Sequence, residues 1–173
     1  MSAQQSNNRG KLTAKKISIY GILTALCIVF GYLESLVSLD FIAPGVKLGL
    51  SNAVALLLIT RKDVKGAFAV NITRIILCAL LFGSPVSLAF SLAGGIASII
   101  FTFLLSKLDC VSVIGISIAG GVIHNIFQLL VAIIIVGVGA VFYIPVLCIT
   151  GAVSGALVGI LCTVLFNKLN LLK

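Results

Sequence analysis

The chain has 173 residues, of which 61% are hydrophobic and only 9% charged, and its net charge is +8. A soluble domain usually carries about a quarter charged residues, so four acids and twelve basic residues are too few to cover a water-facing surface here. Lipid and neighbouring helices are therefore the expected solvent for most side chains.

The first ten residues are polar, and an apolar run follows over 17–37 behind Lys15 and Lys16. The run is longer than a signal-peptide core and lacks a small-x-small cleavage site, so it is expected to stay as the first span. The second apolar segment, 41–60, is interrupted early by Pro44, Gly45 and Lys47. Its unbroken part, 48–60, makes only about 20 Å of helix, short of a hydrocarbon core of about 30 Å. The linker 61–65 is charged. A third segment covers 66–83, and Gly83-Ser-Pro85 turns the chain into a fourth over 86–106. After the polar stretch 107–112, the fifth segment runs over 113–137. A glycine-rich turn leads to the sixth, 142–166, and to a short basic tail at 167–173. The runs are continuous in hydrophobicity, without the alternation of a membrane barrel. Backbone satisfaction in lipid then demands helices. The expectation is one all-α membrane domain of six helices over 17–166 with polar tails at 1–16 and 167–173.

Charge orients it. Arg9, Lys11, Lys15, Lys16, Arg61, Lys62, Lys65, Lys107, Lys168 and Lys173 all fall on one side of a six-span arrangement. The positive-inside bias places that side, and both termini, in the cytoplasm of a plasma-membrane protein. The positive charge is thus explained by topology, and no nucleic-acid partner is expected. Five cysteines at positions without metal-ligand spacing read as small apolar fillers.

Small residues recur at helical spacing. The sixth segment carries Gly151, Gly155 and Gly159; the first carries Gly21 and Ala25. Such faces permit close backbone approach. They serve either packing within the chain or docking of a membrane partner, and Gly21 and Ala25 are the expected docking pair.

Ionisable and amide side chains inside spans are functional candidates by default. They are Glu34 in the first segment; Lys47, Ser51 and Asn52 in the second; Asn71 and Arg74 in the third; and His124, Asn125 and Gln128 in the fifth. Tyr143 opens the sixth. Asn71 and Arg74 share a helix face at i, i+3, and His124 and Gln128 do so at i, i+4. With the orientation above, nearly all of them lie between the midplane and the outer surface. An outward-facing pocket follows, cationic through Lys47 and Arg74 and suited to an anionic or polar-headed ligand with a partly apolar body. Structural alternatives stand beside it: Glu34 pairing with Lys47 or Arg74, Lys47 reaching the headgroups, His124 as a hydrogen-bonded core residue, and Tyr143 as an interfacial anchor. No metal or cofactor is expected. The chain has no ATP-binding glycine loop and no Asp-rich magnesium motif, so an enzyme is not expected either.

The stretch Pro44-Gly-Val-Lys-Leu-Gly-Leu-Ser-Asn52, then Arg74, Gly94-Gly95, the run from Gly115 to Asn125 with Gln128, and Tyr143-Ile-Pro145 resemble the Gx transporter family. Its members are also labelled heptaprenyl diphosphate synthase component I. That family is similar to the substrate-binding S components of energy-coupling factor transporters. The resemblance implies a six-helix bundle that binds a micronutrient in its outer half. It also implies partners, a transmembrane coupling protein and two cytoplasmic ATPases, docked through small residues that map to Gly21 and Ala25. Two other functions compete: a non-catalytic membrane partner of a prenyl-diphosphate or quinone-precursor enzyme, and a small proton-coupled carrier using Glu34 and His124.

Overall fold

A computed structural model describes residues 3–36, 49, 51–108 and 110–171. Among them every regular element is helical. Helix α1 spans Ala3–Leu36, α2 Asn52–Thr60, α3 Val64–Phe82, α4 Pro85–Leu105, α5 Val113–Val136 and α6 Ile144–Leu171, with a 3-10 helix over Val138–Tyr143 between the last two. The polar N-terminal residues continue α1 from Ala3, well ahead of the apolar run.

The turns are written into the sequence. Asp63, Ser84 and Ser112 cap α3, α4 and α5 by accepting from the backbone N–H groups of Gly66, Ser87 and Gly115, each at 3.1 Å. These bonds satisfy donors that a helix start leaves open. Pro85 follows its cap at the first turn of α4, where no N–H is needed. Gly137 ends α5 at φ 104°, a conformation that L side chains resist. The α2–α3 turn is tighter. Lys62 N–H donates to Ile59 O at 2.8 Å and Asp63 N–H to Leu58 O at 2.9 Å, the paired bonds of a Schellman ending. Lys62 therefore holds φ 62°, where glycine would sit without strain.

Among the described residues, five helical stretches are long and apolar enough to cross a membrane: Thr13–Glu34, Val64–Leu81, Pro85–Leu105, Val113–Val136 and Val138–Leu165. The chain is a multi-pass helical membrane protein. The second expected segment differs from the rest. Its described helix, α2, has nine residues, about 13 Å at 1.5 Å per residue, which does not span a bilayer. The Pro44, Gly45 and Lys47 break lies outside the described residues.

What α2 does is fill the core. It is apolar all round, and Ala53, Val54, Ala55, Leu56, Leu58 and Ile59 are all buried. One side meets Cys27, Ala67, Val70 and Ile99 from α1, α3 and α4; the other side meets Ile116, Val158 and Cys162 from α5 and α6. Around it α3, α4, α5 and α6 follow one another as neighbours, and α1 lies outside against α3. Tyr20 sits over Gly66 and Gly31 against Cys78, so α1 and α3 run parallel. The outward side of α1, including Ile22, Leu26 and Val29, is exposed.

The α5–α6 seam uses the glycine ladder. A methyl on Gly121 would run into the Gly151 carbonyl oxygen, and one on Gly155 would lie 2.6 Å from Ser117 O. Gly159 meets Ile114 in the same way. The small face of α6 therefore packs within the chain. Gly21 is the opposite case: no atom outside its own helix backbone lies within 4 Å of where its side chain would be, and Ala25 is exposed too.

Lys15, Lys16, Arg61, Lys62, Lys65 and Lys107 are exposed at one end of the bundle, which we call the basic end. The α3–α4 turn and the 3-10 helix mark the far end.

Candidate functional site

Near the middle of α3, Arg74 organises the first polar group. Its Nη1 donates to Ser51 Oγ at 2.5 Å, and its Nη2 donates to Asn71 Oδ1 at 2.7 Å and Asn52 Oδ1 at 3.3 Å. A guanidinium suits this task because its rigid planar fork spans several acceptors at once. Ser51 stands at the start of α2 with helical φ and ψ, makes no capping bond, and turns its hydroxyl to the arginine. The α2 N-terminus carries partial positive charge, so it and Arg74 together call for a negative group. Glu34 supplies one: it is 8% exposed and its charge acts attractively on Arg74. Of the two partners expected for Glu34, Arg74 is near it, and Lys47 lies outside the described residues. Asn71 Nδ2 and Arg74 Nε find no hydrogen-bond partner among the described residues.

The second group lies across α4. A methyl on Gly95 would come within 2.9 Å of Asn71 Nδ2, and one on Gly94 within 2.8 Å of the His124 carbonyl oxygen and 3.0 Å of Gln128 Cγ. The diglycine step thus thins α4 where the polar faces of α3 and α5 press on it from two sides. His124 is buried at this crossing. Asn125 points elsewhere: its Nδ2 donates to Leu147 O at 2.8 Å and to Thr150 Oγ1 at 3.4 Å, tying α5 to the first turns of α6.

Gln128 and Tyr143 line a cavity of about 160 Å³ between α4, α5, the 3-10 helix and α6. Phe90, Leu129, Ala132 and Leu147 form most of its apolar wall, and Val136 and Gly139 stand towards the far end. Gln128 is only 5% exposed, and among the described residues its amide makes no hydrogen bond. Arg74 does not line this cavity.

The expected site residues therefore fall into two arrangements. Glu34, Ser51, Asn52, Asn71 and Arg74 come together on α1, α2 and α3. Gln128 and Tyr143 face the cavity, His124 lies between, and Asn125 belongs to the α5–α6 joint. A third set escaped sequence reasoning. Ser98, Thr102, Ser117 and Ser154 line a smaller cavity in the basic half of the bundle, together with Asn52. Their only signal was hydroxyl residues among the small-residue steps, Ser98-x-x-x-Thr102 above all.

At the basic end, Tyr20 Oη donates to Asp63 Oδ2 at 2.5 Å. That bond, reinforced by the Gly66 N–H and the nearby Lys16, holds the Asp63 carboxyl below the usual carboxylate range, against a smaller opposing effect of burial. The turn between α2 and α3 is thereby latched to α1.

The family model described as heptaprenyl diphosphate synthase component I matches residues 23–165. The chain belongs to this family. The match takes in both polar groups, the diglycine step and the cavity. No curated protein and no solved structure matches the chain. The family's name describes one component of a heptaprenyl diphosphate synthase.

Proposed function

We propose that the chain is the substrate-binding membrane subunit of an energy-coupling factor type uptake transporter. The observation that carries this reading is the cavity between α4, α5, the 3-10 helix and α6. It is concave and mostly apolar, with two polar side chains on its wall, the usual make-up of a small-molecule site. By the positive-inside bias the basic end faces the cytoplasm, so the cavity lies in the outer half of the membrane.

The lining also speaks to the ligand. An apolar cavity of roughly 150 Å³ takes a benzene-sized ring. Gln128 offers an amide that both donates and accepts, and Tyr143 a hydroxyl. Among the described residues the lining carries no charge, and Arg74 is engaged with Ser51, Asn52 and Asn71. The ligand that fits has an apolar body and a neutral hydrogen-bonding head, in preference to an anionic one. On this proposal Glu34 and Arg74 stiffen the wall on which α2 is set.

The exposed Gly21 and Ala25 stripe on α1 is where the coupling protein docks. Small residues let helices approach closely, and this stripe is left open while the glycines of α6 are used internally.

A second reading has its own support in the family description: a membrane component that works with a soluble prenyl-diphosphate synthase. Co-expression with an energy-coupling module and, separately, with a soluble prenyl synthase tests the choice. Recovery of a four-part complex that is lost in Gly21→Leu supports the transporter subunit. Capture of the synthase alone supports the second reading and overturns the first.

A further inference from the structure

The smaller cavity is not part of that reading. It has a volume of about 40 Å³ and lies between α2, α4, α5 and α6 in the basic half of the bundle. Four hydroxyl residues reach it: Ser98, Thr102, Ser117 and Ser154. Ser98 Oγ donates to Gly120 O at 3.0 Å and Ser154 Oγ to Gly151 O at 3.2 Å. Thr102 and Ser117 are 5% and 6% exposed, and neither hydroxyl makes a hydrogen bond among the described residues. A hydroxyl left without any partner costs about 1–3 kcal/mol, and these two lie on one cavity in which water can partner them. Gly120 makes the room, since a methyl there would lie 2.6 Å from Thr102 Oγ1 and 3.3 Å from Ser98 Oγ.

We propose that this cavity is a built water site, in which waters bridge Thr102, Ser117 and Asn52. The volume admits about three or four molecules at roughly 10–15 Å³ each, and several polar partners surround them. Asn52 gives the site its reach. It lines the cavity, and its Oδ1 accepts from Arg74 Nη2. Through Asn52 the waters extend the hydrogen-bonded network of Arg74 into the basic half of the bundle.

Radiolytic hydroxyl-radical footprinting of the full chain in lipid nanodiscs tests this, because bound water generates radicals that mark the side chains beside it. Leu56 and Val158 line the cavity, and Val70 lies in the dry core between α1, α2 and α3; all three are at most 4% exposed. The site predicts oxidation of Leu56 and Val158 several-fold above Val70, falling to the Val70 level in Gly120→Ala. If Gly120→Ala does not fold, the isosteric Thr102→Val combined with Ser117→Ala is expected to lower it in the same way. Oxidation of Leu56 and Val158 no greater than that of Val70 in the unmodified chain overturns the proposal. So does enhanced oxidation that persists unchanged in the folded variants.

Discussion

Ser51 Oγ accepts from Arg74 Nη1 at 2.5 Å, a contact across twenty-three residues of chain. Hydrogen bonds to charged groups contribute about 1.5–3 kcal/mol each. Ser51→Ala is therefore expected to lower stability by about 1.5–3 kcal/mol, read from unfolding in detergent titrated with denaturant.

Arg74→Lys should behave as a poor substitute. An ammonium is a compact point charge and does not reproduce the fork that spans Ser51, Asn52 and Asn71. Breaking a buried charged network by removing one partner costs about 3–5 kcal/mol. Arg74→Ala is expected in that range, with Arg74→Lys recovering only part of it in the same unfolding assay.

Lys62 holds φ 62° at the end of α2. A left-handed conformation costs an L residue about 1–2 kcal/mol, and glycine nothing of the kind. Lys62→Gly is expected to raise stability by about 1 kcal/mol. A lower unfolding midpoint would contradict the strain argument.

The Tyr20–Asp63 latch gives stability a pH dependence of known sign. The folded state holds the Asp63 carboxyl below its ordinary range. Its contribution is present in full above the unfolded carboxylate pKa and is lost as pH falls through the lowered folded value. Thermal unfolding followed from neutral to acidic pH should show this loss in the unmodified chain. Tyr20→Phe, which removes the largest cause of the shift, should flatten it.

Gly21 and Gly121 should separate cleanly. Overpacking a tight contact costs about 1–3 kcal/mol, and a methyl on Gly121 meets the α6 backbone at Gly151. Gly121→Ala is expected to destabilise the bundle by at least that much. Gly21→Ala, with open space around it inside α1, should not destabilise the bundle, and the helix preference of alanine favours it by about 0.5–1 kcal/mol.

Much of this fold was legible because the signals are local. Apolar runs bounded by Asp63, Ser84-Pro85 and Ser112 announce where α3, α4 and α5 begin. The residues 52–60 were legible as apolar, but not whether lipid or protein would cover them; in α2 six of the nine are buried by the protein. Hydrophobicity alone does not tell those two environments apart. The Asn71–Arg74 pair was legible from its i, i+3 spacing, and it does share one network. Helix rotation was not legible. His124, Asn125 and Gln128 are neighbours along α5, yet Asn125 turns to α6 while Gln128 faces the cavity. Depth places a residue along the membrane normal but says nothing about which neighbour it meets. The hydroxyls of Ser98, Thr102, Ser117 and Ser154 were hidden for a further reason: as small residues they look like packing surface until the bundle closes around them.

On the proposed function, the far-end cavity holds a small molecule. Native mass spectrometry of the purified chain, beside Ala132→Trp, tests it most directly, because an indole at Ala132 fills the cavity wall away from Arg74 and from the α1 stripe. A retained non-lipid molecule is expected in the unmodified chain, lost in Ala132→Trp and kept in Gly21→Leu. Retention of nothing but lipid, or equal retention in the unmodified chain and Ala132→Trp, would contradict it.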